Sequence, residues 1–233
     1  MGETTAIVTA ASTGIGAACA RELRARGYQL SLLARSDAVL DLARELSGIA
    51  TVGSVTDPEA LERLVRNTLD AFGRIDVVVN NTGHPAKGDL LAVRDAEWHD
   101  GLDLLLLSVV RMARLVTPVF EQQGGGVMVN ISSFAAQEPS LPRPVSSALR
   151  AALSSFTTMY AQRYAAQKIR MNSVLPGWVA THEVAEADAA RIPMQRPAEA
   201  NEIARVVAFL VSAEASYVTG ENLRVDGGLL RSL

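Results

Sequence analysis

Residues 9–16 read TAASTGIG, and the reading of this stretch decides the fold. A β-branched run, TAIVT (residues 5–9), leads into it, and a helical pattern over residues 14–26 leads out. A strand that turns sharply into a helix needs glycine where the backbone takes positive φ or where another group comes too close for a Cβ. Gly14 and Gly16 meet that need, while Ser12 and Thr13 add hydroxyls. A helix begun this way presents N–H groups and the positive end of its dipole, which suits a pyrophosphate. Plain strand-to-helix packing would ask for the same glycines, so the surroundings must carry the argument.

Outward from the turn, short apolar runs alternate with helical patterns. Strands are predicted at residues 29–34 (QLSLLA), 49–52 (IATV), 75–80 (IDVVVN), 127–131, 170–175 and 222–225 (NLRV). Helices are predicted from the second strand to about residue 46, and over 56–72, 97–122, 145–167 and 197–211. The helix at 56–72 is well signalled: Asp57 caps it, Pro58 suits its first turn, and Leu61, Leu64, Val65 and Leu69 share one face. Near-continuous apolar strands separated by helices mean a parallel sheet covered on both faces. That is a doubly wound α/β fold, with ligands at the carboxyl ends of the strands. No linker or repeat interrupts residues 1–233, which read as a single domain with a short substrate-covering segment near 181–196.

Composition narrows the function. Net charge is −3 with no basic run, which points away from nucleic acid. The strongest apolar run, residues 102–110, is too short for a bilayer and contains Asp103, so no membrane span is expected. The start, MGETTAIV, lacks the pattern of a signal peptide, and Ala6 stands where a myristoylation motif after Gly2 wants Ser or Thr. A lone Cys19 permits no internal disulfide; a cytoplasmic protein is expected. With three histidines and no ligand-spaced cluster, no metal site is expected.

Several motifs in order now resemble the short-chain dehydrogenase/reductase family along essentially the whole chain. TAASTGIG resembles its TGxxxGIG, with Ala10 in place of the first glycine. NNTG (residues 80–83) resembles NNAG, NISS (130–133) the strand ending in the catalytic serine, NSVLPGWVAT (172–181) the segment flanking the nicotinamide, and VTGENLRVDGG (218–228) the C-terminal signature. The resemblance implies one Rossmann-type domain with a seven-stranded parallel sheet. It also implies hydride transfer between a nicotinamide and a carbonyl or alcohol.

In that family a tyrosine phenol handles the proton, a lysine four residues on lowers the phenol's pKa and holds the nicotinamide ribose, and an asparagine on the preceding helix completes a relay. Thirteen residues after Ser133 stands Ser146, four further stands Arg150, and the asparagine position, counted from Trp98, falls near Leu105. A serine is a far poorer acid than a phenol, and arginine does not release a proton. Three readings follow. One is a reductase acting on an activated C=C or an iminium, where Ser133, Arg150 or a water stabilises the developing oxyanion. Another is an ordinary ketone or alcohol reductase of 3-oxoacyl type with a relocated proton donor, for which His84 and His182 are candidates. The third is a non-catalytic nucleotide-binding member acting as sensor or oligomer partner. Ser133, Ser146, Arg150 and His84 are the candidate catalytic residues.

The resemblance assigns the cofactor to Thr9, Ser12, Thr13, Gly14, Ile15, Gly16, Ser54, Val55, Asn81, Gly83, Arg150, Pro176, Gly177, Val179 and Thr181, together with the end of the second strand. There, an NAD enzyme needs an acid for the ribose hydroxyls. Ala34 holds that place, followed by Arg35 and Ser36, so NADP(H) is favoured over NAD(H), with Arg35 pairing the 2′-phosphate. Asp37 is the one acid that a loop shift would bring in. Arg143, in PSLPRPVSS (residues 139–147), is a candidate for a substrate carboxylate, and Trp178 for a pocket wall. His99, Cys19, Tyr160 and Tyr164 read as structural. The expected partners are a small-molecule substrate and further copies of the chain: by resemblance a homotetramer, with a homodimer as alternative.

Overall fold

The structure is a computed structural model and describes residues 4–181 and 183–232. The expectations about Gly2 and His182 lie outside those residues. Seven strands form one parallel sheet: β1 (Thr5–Thr9), β2 (Gln29–Ala34), β3 (Ile49–Val52), β4 (Val77–Asn80), β5 (Gly126–Ile131), β6 (Ile169–Pro176) and β7 (Asn222–Val225). Their spatial order is β3-β2-β1-β4-β5-β6-β7, so the chain reverses its direction of travel between β1 and β4. That reversal opens a crevice at the strand ends.

The apolar strands are explained by two cores. Ala6 and Val8 of β1, Leu30 and Leu32 of β2, and Val77 and Val79 of β4 face one side. There they meet α1 (Gly14–Ala25), α2 (Ala38–Glu45) and the helix Ala200–Val211. Ile7, Leu33 and Val78 face the other, against α3 (Pro58–Phe72), α5 (Ser108–Gln123) and α6 (Pro144–Tyr164). Side chains alternate between faces with a period of two, and helices cover both faces of the central strands, so these positions are mostly apolar; the buried polar ones are paired, as Asn80 is with Asn130 at 2.9 Å.

Helix α3 begins as its sequence predicts: Asp57 accepts from the Glu59 amide at 3.0 Å, and Pro58 occupies the first turn. Other boundaries differ for physical reasons. The helix expected to start at residue 197 starts at Ala200, because Glu199 caps it and Glu202 reaches back to the Glu199 amide at 2.8 Å. The helix expected over 145–167 ends at Tyr164 and tightens into a 3₁₀ turn, Ala165–Gln167. The helix expected over 97–122 is two helices, α4 (Asp95–Leu102) and α5, joined by a π turn at Asp103–Leu107. A π turn holds one residue more than an α turn and resets the facing of everything beyond it. Gly101 lets α4 press on α6 here, since a Cβ would overlap the Val145 side chain. Among the described residues no helix is long and apolar enough to cross a membrane.

Candidate active site

A cleft of about 1060 Å³ lies at the carboxyl ends of the strands. One end is made by the loops after β1, β2 and β3. Ser12, Thr13, Gly14 and Ile15 line it at the start of α1. Gly14 takes φ +56, and the Thr13 side chain caps nothing, which leaves the first-turn N–H groups of α1 to a ligand. Two predicted contacts do not reach the cleft. Thr9 lies beneath it: its hydroxyl donates to the Asn81 carbonyl at 2.7 Å and accepts from the Asn81 amide at 2.9 Å. Gly16 is a packing glycine, whose added Cβ would overlap the Ala10 carbonyl and come within 2.8 Å of Asn81 Nδ2. Both residues hold the loops together, Thr9 by hydrogen bonding and Gly16 by close backbone approach. Ala10 itself sits at φ +46, a left-handed conformation unusual for a residue with a Cβ.

Ala34, Arg35 and Ser36 line the cleft after β2, and Ser54 and Val55 after β3. Asp37 does not line it; Asp37 precedes α2, where the Ala38 amide bonds Ser36 Oγ at 3.2 Å. Among the described residues no carboxylate pairs with Arg35. This end therefore fits a dinucleotide that carries an extra phosphate: helix N–H groups for the pyrophosphate, and an unpaired guanidinium with no acid at the close of β2. Asn81, Gly83, Pro176, Gly177, Val179 and Thr181 line the middle.

The other end gathers Ser133, Ser146, Arg150 and His84, all four in the wall. Ser133 lies two residues beyond β5 and caps the 3₁₀ turn Phe134–Ala136, its Oγ accepting from the Ala135 amide at 3.2 Å. Ser146 and Arg150 sit one turn apart on α6, with Pro144 and Ser146 on its first turns. Arg150 is 6% exposed; its Nε donates to Ser146 Oγ at 3.2 Å and its Nη1 to the Ile131 carbonyl at 2.9 Å. Both serine oxygens thus accept from the protein, which turns their hydroxyl protons toward donation elsewhere. Burial pulls the Arg150 pKa down to about 10, so the guanidinium stays charged near neutral pH. No carboxylate among the described residues pairs with it.

Leu105 does not reach this end. It is 2% exposed and packed inside, while the π turn delivers Asp103 and Leu104 to the wall. Sequence reasoning missed those two, together with Asp100 and Lys87, because no periodicity announces a π turn or a loop lysine. Phe134 was missed as well, although its place directly after Ser133 is a signal that could have found it; its ring lies 5.8 Å from that of Trp178. Trp178 and Arg143 both line the cleft, with the guanidinium 4.3 Å from the indole centroid. His99 is exposed on α4 and off the cleft. Cys19 is buried, its thiol pushed up to about 12 by burial, and Tyr160 is held in the core by a 2.6 Å bond with Thr117.

Comparison with known proteins agrees with this geometry. Residues 9–230 match a family model described as enoyl-(acyl carrier protein) reductase. The 3-oxoacyl-[acyl-carrier-protein] reductase of Vibrio cholerae is 32% identical, and that of Salmonella typhimurium 35% identical, each over 96% of both chains. L-sorbose reductase of Gluconobacter frateurii, solved with NADPH and L-sorbose, superposes with a TM-score of 0.94 at 28% identity, covering 100% of this chain and 98% of that one. A full-length match to the family model, relatives above 30% identity, and the same seven-stranded frame place this chain in the short-chain dehydrogenase/reductase family of oxidoreductases.

Proposed function

We propose that the chain is an NADP(H)-dependent reductase of a small molecule, working without the family's phenol. Ser146 and Arg150 hold the places that the tyrosine and lysine hold by resemblance, and Leu105 the place of the asparagine. The observation that carries the reading is the open far end of the cleft: Arg150 lies folded along its wall, and Leu105 is packed away from it. A chain kept only as a scaffold has no need of such a space.

NADPH, when bound, supplies a hydride. The groups at the far end suit a substrate that accepts it at carbon and carries the resulting charge on a neighbouring oxygen, as an activated C=C does, or that already carries positive charge, as an iminium does. Ser133 and Ser146 donate hydrogen bonds toward such an oxygen, and Arg150 strengthens the Ser146 donor by holding its oxygen. Neither serine is acidic enough to give up its proton, so the final proton comes from water or His84. Arg35 selects the cofactor's 2′-phosphate. Assembly as a homotetramer, or a homodimer, is supported by edge strand β7, which leaves Leu223 38% exposed, and by Met159 of α6, 58% exposed.

The test is a fluorescence titration with NADPH and with NADH, followed by NADPH oxidation with enone, iminium and 3-oxoacyl thioester substrates. Tight NADPH binding and turnover of an enone or iminium is the expected result. Binding of neither nucleotide overturns the reading. A second reading, ketone reduction of 3-oxoacyl type with His84 as proton donor, is favoured by the position of His84 in the wall and by the names of the relatives at 32% and 35% identity. It predicts that thioester turnover exceeds enone turnover and falls sharply in H84Q.

A further inference from the structure

The far end of the cleft holds more positive charge than it neutralises. Arg143, Arg150 and Lys87 line it, and none of the ion pairs among the described residues involves them. Of the acids in the same wall, Asp103 is taken by Arg111 at 2.6 Å, which leaves Asp100. A buried guanidinium without a counter-charge is costly, and a ligand that brings the charge relieves that cost.

Arg143 is also held in place. Prolines flank it at positions 142 and 144, its amide donates to the Ser140 carbonyl at 2.9 Å, and the Ser140 amide donates to Ser147 Oγ at 3.0 Å. The Pro142 carbonyl accepts from the Gly88 amide at 3.2 Å. The guanidinium then lies 4.3 Å from the Trp178 ring centroid. Stacking uses the face of the guanidinium and leaves its edge donors, the fork that fits a carboxylate. Cations without a counter-charge converge on one end, which is the complement of a compact anion with several acceptor oxygens.

We infer that the substrate carries a carboxylate, bound by Arg143 against Trp178, with the reducible group directed toward Ser133, Ser146 and Arg150. This rests on the reductase reading above and names its substrate class: a small unsaturated or oxo acid rather than a neutral ketone or a carrier-bound thioester. The carboxylate takes no part in the redox step; it fixes the orientation of the carbon that accepts hydride. Arg143 is on this account a specificity residue.

The experiment uses the full chain saturated with NADPH and three probes: benzylidenepyruvate, its methyl ester, and the neutral N-acetylcysteamine thioester of acetoacetate. Calorimetric titration reads binding and NADPH absorbance reads turnover. The acid is expected to bind at least about tenfold more tightly than the ester, the gain of a charge-assisted bidentate contact. R143Q abolishes that preference, and R143K restores part of it while losing the bidentate geometry. A melting curve on each variant shows that it folds. Equal binding of acid and ester, preference for the thioester, absence of binding by all three probes, or an acid preference that survives in R143Q overturns the inference. Failure of NADPH binding is separate: it removes the reductase reading, and the same titration on the nucleotide-free chain then decides whether the acid preference, and with it the carboxylate site, stands.

Discussion

The nucleotide end of the cleft takes its shape from the backbone, set by Gly14, by the first turn of α1 and by loops that Thr9 and Asn81 tie together, with Arg35 added as a side-chain contact. At the substrate end the surface is mostly side chain: Ser133, Ser146, Arg150, Arg143 and Trp178 present their own atoms. The difference teaches what a sequence can alter cheaply. A backbone surface depends on where glycines allow the chain to turn, so changing it means changing the fold. A side-chain surface can exchange every chemical group while the same helices stay in place.

Arg150 gives the strongest test of that contrast. R150M is expected to lower kcat/KM by about 10²–10³-fold, the usual loss when a donor to a developing oxyanion is weakened. Its stability should move the other way. Losing the bond to the Ile131 carbonyl costs about 1 kcal/mol, whereas relieving a buried, unpaired charge returns more than that. Thermal unfolding should therefore show a melting temperature that is unchanged or raised. A collapse in stability would mean that Arg150 is a structural strut and would erase the distinction between the two ends.

Arg35 probes the opposite end. R35A should weaken NADPH binding about tenfold to a hundredfold and leave NADH binding nearly unchanged, since a bidentate phosphate contact is lost from one nucleotide only. Fluorescence titration of both nucleotides reads the split. Equal weakening would show that Arg35 supports the loop rather than reads a phosphate.

Gly16 and Ala10 sharpen the claim that this end is backbone-made. G16A forces a Cβ against the Ala10 carbonyl and should cost about 1–3 kcal/mol. A10G should act in reverse: relieving φ +46 gains about 1 kcal/mol, or roughly 2–4 °C in a chain of this size. Differential scanning calorimetry of the two variants should give shifts of opposite sign.

Cys19 supplies the smallest effect, in the core beneath both ends. Its thiol is raised from 9.0 to about 12 in the folded chain, so the folded state holds its proton where the unfolded state releases it. This contribution to stability is fully present below pH 9 and fades as pH rises toward 12. Iodoacetamide labelling should accordingly be slow in the folded protein and accelerate only with unfolding; fast labelling of the native chain would contradict the burial.

The contrast also explains what was legible in the sequence. Apolar strands and capping residues announce themselves, so the sheet and α3 are where residues 5–9 and 56–72 place them. The backbone end was legible for the same reason, except that Thr9 and Gly16 serve packing, a use that looks identical to ligand contact in a motif. The substrate end was legible residue by residue along α6, where Ser146 and Arg150 keep a fixed count from Ser133. It was illegible along the helix before β5, because four leucines in a row, Leu104 to Leu107, give no sign of where a helix takes an extra residue. The count from Trp98 put Leu105 at the asparagine position, and Leu104 lines the cleft there instead.

That π turn has a mechanical consequence. It joins two α-helical rods whose faces are out of phase by about 100°, one residue's rotation. Up to Gly101 the rod is indexed to α6 and the cleft; from Met112 to Phe120 it is indexed to the sheet. The junction works as a clutch between two gears, and its setting is a matter of residue count rather than of residue identity. Deleting one leucine from residues 104–107 would let the two rods fuse into a single regular helix, sound in itself, with either the wall or the core turned away from its partner.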